Sequence, residues 1–175
     1  MTVSRNVLIV LRKLREVDTP FLDESQPLLE NEGGVLSPVA ANILKNLNAA
    51  RRARFDLLRP ITAQAQFLSK WSPTEDKRLH RLMCYMNSTK NHKQYGWVGD
   101  SVENLELHLF CDADLAGDVN DSKSASGGLW VLVGPHTWFP RSALSKKQTA
   151  VSLSSVEAEL AALVYGMRNE ASPTL

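Results

Sequence analysis

The spacing of apolar residues along this chain changes once, near Tyr95. Before that point it is helical. Val39, Ile43 and Leu47 recur every four residues after Ser37-Pro38, a cap followed by proline at the first helical position. Pro60 opens a second helical stretch with Ile61, Ala65 and Leu68 on one face. Ser72-Pro73-Thr74-Glu75 is a capping box, in which serine and glutamate satisfy each other's exposed backbone amides. Leu79, Leu82, Met83 and Met86 follow it at i, i+3, i+4 and i+7, an amphipathic face. These patterns predict helices over 37–52, 60–71 and 73–88. Residues 1–35 hold Pro20, Pro27, Gly33-Gly34 and an acidic stretch, and read as an irregular connector.

After Tyr95 the period is two. Leu105, Leu107, Leu109 and Cys111 alternate with Glu106, His108, Phe110 and Asp112, so Asp112 is expected on the strand face opposite the leucines. Residues 127–133 and 137–145 read as two further strands, joined by a turn at Gly134-Pro135. Ser154 and Glu157 repeat the capping-box spacing. Leu160, Leu163, Val164 and Met167 are then expected to form the buried face of a helix near 155–169. The expected class is α/β, a helical N-terminal segment followed by a three-stranded meander and a helix.

Composition changes this picture little. In 175 residues, 43% are hydrophobic and 22% charged, enough apolar content for a packed core. A net charge of +1 does not mark a nucleic-acid binder, so any basic surface must be local, as at Arg51-Arg52-Ala53-Arg54 or Lys146-Lys147. Cys84 and Cys111 form no CxxC pair and no zinc-spaced cluster, which fits reduced thiols in an intracellular protein. Val7-Leu8-Ile9-Val10-Leu11 is too short to span a membrane, and polar residues rather than a cleavage site follow it. The expectation is a soluble chain without an export signal.

Two segments carry candidate chemistry. Phe110-Cys111-Asp112-Ala113-Asp114-Leu115-Ala116-Gly117-Asp118 reads as a strand ending in acids. Lys146-Lys147-Gln148 and Ser154-Ser155-Val156-Glu157-Ala158-Glu159 read as a basic strand end and a capped helix start. A carboxylate leaving a strand and one on the next helix can share a divalent metal. In wording and order, from about Leu105 to Asn169, these segments resemble the ribonuclease H domain of copia-type retrotransposon Pol polyproteins. The stretch from Arg59 to Lys90 is similar to the helical connection between the reverse transcriptase and ribonuclease H parts of those polyproteins. The domains then read as a connector (1–35), a helical connection segment (36–100) and a truncated ribonuclease H-like domain (101–175).

The resemblance implies hydrolysis of the RNA strand of an RNA–DNA hybrid by two Mg²⁺ (or Mn²⁺) ions about 3.5–4 Å apart. It implies that Asp112 and Glu159 are the catalytic metal ligands, with Asp114 the lesser candidate. Glu157 is assigned to capping, and Asp118 and Asp121 to turns. It also implies that Ser154 and Ser155 face the hybrid's minor groove, where a hydroxyl can meet a ribose 2′-OH; capping by Ser154 alone remains an alternative. Lys146 and Lys147 would hold phosphates. Trp130, Trp138 and Phe139 are expected to pack rather than stack on bases. The family also draws carboxylates from a later strand, and after Arg168 this sequence offers Asn169-Glu170-Ala171-Ser172-Pro173 instead. The expectation is an incomplete enzyme, inactive in isolation, whose partners are the hybrid and the rest of the polyprotein. A non-catalytic nucleic-acid-binding remnant and a degenerate reading frame are the alternatives. A polymerase is not expected, because no adjacent Asp-Asp pair occurs.

Overall fold

In the computed structural model the described residues are 14–22, 36, 40–41, 44–45, 47–117 and 122–171. Ser37, Pro38, Val39, Ile43, Asp118, Asp121 and Pro173, all assigned roles from the sequence, lie outside them. The protein is mixed α/β and forms two compact units, one of Met1–Asn48 with Arg59–Lys93 and one of Ala49–Leu58 with Gln94–Leu175. Among the described residues no helix is long and apolar enough to cross a membrane.

Helix α1 (Leu47–Ala53) spans the boundary between the units at Asn48, and α2 (Leu58–Ala65) belongs to the first unit from Arg59 on. The second helix is shorter than the 60–71 expected. After Ala65 the chain tightens into i→i+3 bonds, from Phe67 N to Gln64 O and from Leu68 N to Ala65 O. α3 (Pro73–Ser88) matches its predicted bounds. Its capping box is closed: Ser72 Oγ accepts from Thr74 N at 3.2 Å, and Glu75 Oε2 accepts from Ser72 N at 3.2 Å. The face it buries is Leu79, Leu82, Cys84 and Tyr85, with Met83 and Met86 only half-buried. Leu79 packs with Leu36 and Ala40, and Leu68 and Trp71 close the cluster. Asp76 ties it together, accepting from Leu36 N at 3.1 Å and from Trp71 Nε1 at 2.7 Å.

The second unit is built on an antiparallel sheet of β1 (Glu106–Asp114), β2 (Ala125–Gly134) and β3 (Thr137–Lys147), in the order β1-β2-β3. The turn falls at Pro135-His136 as the Gly134-Pro135 signal predicts. One register shift separates Trp130 from Val131. There Ser142 pairs with Trp130 and Pro140 with Val131, so Arg141 is the extra residue of a bulge. Pro140, which has no N–H to give, is tolerated beside that bulge on an edge strand.

The pairing defines two faces. Leu107, Leu109, Cys111 and Ala113 share one with Leu132, Trp130, Gly128 and Ser126. His108, Phe110, Asp112 and Asp114 share the other with Val131, Leu129, Gly127 and Ala125. On this second face the Phe110 ring lies 6.1 Å from both His108 and Trp138. The helix α4 (Ser155–Gly166), continued by a wider turn to Ala171, packs across β1 and β2 on the leucine face.

The helix corrects one expectation. Its buried residues are Ala158, Ala162 and Gly166, not Leu160, Leu163, Val164 and Met167, which are exposed. The reason is distance. A β-carbon at Gly166 would lie 3.0 Å from Leu109 Cδ2 and 3.2 Å from Cys111 Sγ, so the backbone approaches the sheet too closely for a large side chain.

A short extended segment leads into this unit. Trp97 exchanges backbone hydrogen bonds of 3.0 and 3.1 Å with Trp138. Asp100 fixes its end, accepting from Thr137 Oγ1 at 2.6 Å and from His136 N at 2.8 Å. The Thr137 hydroxyl, and then the His136 amide, hold the Asp100 carboxyl below its ordinary value against the opposing effect of desolvation. Because the folded value is the lower one, this contribution is present above the ordinary carboxylate pKa and is lost as pH falls through the depressed value, below about pH 4. Thr137→Val is expected to move the Asp100 carboxyl back up, read by NMR titration; an unchanged titration would remove the hydroxyl as the cause.

Candidate functional site

The candidate carboxylates sit where the β1 pleat and the α4 rotation put them. Asp112 and Asp114 are exposed at the end of β1, on the face that α4 does not cover. Asp112 stands opposite Gly127, and no side chain crowds it from that position. Asp114 turns into its own loop: its carboxylate occupies the space where a Gly117 β-carbon would stand, and Ala116 takes a φ of 51°. Ala116 N donates to Ser124 Oγ at 3.2 Å, which anchors the turn to the start of β2.

Glu159 is exposed on α4, above the leucine face. Its position registers on Cys111. Burial first, and then the Glu159 charge, push the Cys111 thiol up, so it stays protonated and is a poor nucleophile. Asp112 is the next residue in β1, but the pleat directs it to the other side of the strand from Cys111. Among the described residues, no three His, Cys, Asp or Glu side chains come together as a metal centre.

The predicted nucleic-acid contacts are divided in the same way. Lys146 pairs with Ser126 and so lies on the helix face, with Nζ 4.6 Å from the centre of the Tyr165 ring. Lys147 pairs with Ala125 and belongs to the opposite face. The two lysines therefore do not form one phosphate cradle. Ser154 caps α4, accepting from Glu157 N at 3.2 Å. The reciprocal bond is displaced by one residue: Glu157 Oε2 accepts from Leu153 N, at 2.8 Å, rather than from Ser154 N. Ser155 is exposed in the first turn of the helix. Arg54, in the other basic run, is held by Asp56 at 2.7 Å. Trp130 is buried and Trp138 packs on Phe110.

Gln148 is a positioning residue that periodicity did not single out. Its backbone N donates to Ser124 O at 2.8 Å. Its Nε2 donates to Ser126 Oγ at 3.0 Å and to Ala158 O at 2.9 Å, and its Oε1 accepts from Ser152 Oγ at 3.0 Å. One side chain thus ties β2, the connecting loop and the first turns of α4, and sets the height of Glu159 above the sheet. The signal available in the sequence was a polar residue directly after the basic strand end.

Secreted RxLR effector protein 161 of Plasmopara viticola is 38% identical to this chain over 110 residues, 63% of the chain and 72% of that protein. Retrovirus-related Pol polyproteins from transposons RE1 and RE2 of Arabidopsis thaliana are 36% and 35% identical over 119 residues. Those matches cover 67% of this chain but only 8% of each polyprotein. No family profile and no solved structure matches the chain.

Two outcomes check this geometry. Gln148→Leu removes three side-chain bonds and is expected to cost about 1–3 kcal/mol, with faster amide exchange at the start of α4 than at Leu163. Glu159→Gln is expected to lower the Cys111 pKa, seen as faster alkylation at a fixed pH above neutrality. An unaltered alkylation profile would place Glu159 away from the thiol.

Proposed function

The chain belongs to the same family as secreted RxLR effector protein 161 and a segment of retrovirus-related Pol polyproteins, and from that premise we propose that it is the ribonuclease H-type portion of a copia-type Pol. In this reading Asp112 is the strand carboxylate and Glu159 the helix carboxylate of a site that hydrolyses the RNA strand of an RNA–DNA hybrid. The observation that carries it is the order of parts: an antiparallel meander whose first strand carries Asp112 near its end, then a helix bearing Glu159 laid on that strand.

The donor chemistry suits Mg²⁺ or Mn²⁺, because both groups are hard oxygen ligands. Asp112 and Glu159 lie on opposite sides of β1, and among the described residues no three His, Cys, Asp or Glu side chains come together as a metal centre. A two-metal centre needs several carboxylates, so no metal-dependent step is assigned to this chain alone. The further ligands, like the reverse transcriptase and the hybrid as partners, belong to the longer polyprotein in this reading. The same incomplete set favours, as the second reading, a non-catalytic module that binds nucleic acid through its separate basic positions.

Assayed alone on a labelled RNA–DNA hybrid with Mg²⁺ or Mn²⁺, the chain is expected to cleave at close to background. Exchanged for the homologous segment of an active retroelement Pol polyprotein, it is expected to support cleavage, and Asp112→Asn or Glu159→Gln in that hybrid protein to abolish it. A graft that cleaves equally well with Asp112→Asn would sink the site assignment. Hybrid binding without cleavage in any graft would favour the non-catalytic module.

A further inference from the structure

Helix α4 is apolar around most of its circumference, yet among the described residues only one side of it is covered. Ala158, Ala162 and Gly166 meet the sheet, while Val156, Leu160, Leu163 and Met167 lie about a third of a turn round the helix and are exposed. Their exposure runs from 40% to 75%. Contiguous apolar patches of this kind mark contact surfaces. The spacing of the four, in steps of four, three and four residues, is that of a coiled-coil seam, and no charged residue interrupts it.

The flanking charges select the occupant. Glu157 and Arg168 lie on the same side of the stripe, at its two ends. Glu157 is fixed there by its bond to Leu153 N. In an antiparallel two-fold pair, Leu160 of each copy packs on Leu163 of the other, and Val156 on Met167. The same arrangement brings Glu157 of one copy to Arg168 of the other, twice. A parallel pair in register would leave these opposite charges about 16 Å apart along the axis. Self-complementarity of this kind is what an isologous interface requires.

We propose that α4 is an antiparallel homodimer contact, made by Val156, Leu160, Leu163 and Met167 and oriented by Glu157 and Arg168. The seam is four layers long, which places it among small, exchanging interfaces. This inference is independent of the ribonuclease reading, since Asp112 and Glu159 need no second copy.

Sedimentation velocity of the full chain across a concentration series is expected to show reversible dimers. Leu160→Glu, at an exposed position, is expected to abolish them with an unchanged circular dichroism spectrum; should it unfold, Leu163→Lys makes the same test. Arg168→Glu is expected to weaken the dimer about tenfold, and adding Glu157→Arg to restore it. A chain that stays monomeric to its solubility limit overturns the proposal, and would assign the stripe to another segment of a longer polyprotein or to a different protein. So does a dimer that survives both seam variants, or a charge exchange that restores nothing.

Discussion

The close seating of α4 on the sheet is the contact from which the rest of the second unit follows. Three small residues one helical turn apart, Ala158, Ala162 and Gly166, let the helix backbone reach Leu109 and Cys111. Tight packing leaves no room for larger groups there. Every other property of the helix is then fixed by rotation: Glu159 falls within electrostatic reach of Cys111, Tyr165 falls under Lys146, and the large apolar residues point outward. Gln148 sets the depth of this seating by bonding the helix backbone and β2 at once.

Alternation along β1 imposes the second constraint. Adjacent residues of a strand face opposite ways, so the strand presents Cys111 to the helix and Asp112 to the other side. The same rule separates Lys146 from Lys147. Charges that are neighbours in the chain therefore serve different surfaces.

The first unit depends on a different device. The Ser72–Glu75 box starts α3, and Asp76, one residue later, reaches back to the Leu36 amide and the Trp71 indole. A helix start is thereby also a tertiary tie, which is why α3 begins where its capping signal stands.

Much of the fold was legible because its signals are local. The capping box of α3, the period-two run of β1 and the Gly134-Pro135 turn each state a backbone conformation within a few residues, and each element stands where those residues put it. The end of α2 was not legible, because the i→i+3 tightening after Ala65 has no glycine or proline to announce it. Nor was the seating of α4. Hydrophobicity ranks Leu160 and Leu163 above Ala158 and Gly166, but the choice between them is made by the distance to the sheet, a property of two elements rather than one. Asp112 and Glu159 were singled out by motif order alone. Their placement, one on the uncovered face of β1 and one on the helix over the other face, was decided only in three dimensions, by the pleat of the strand and the rotation of the helix upon it.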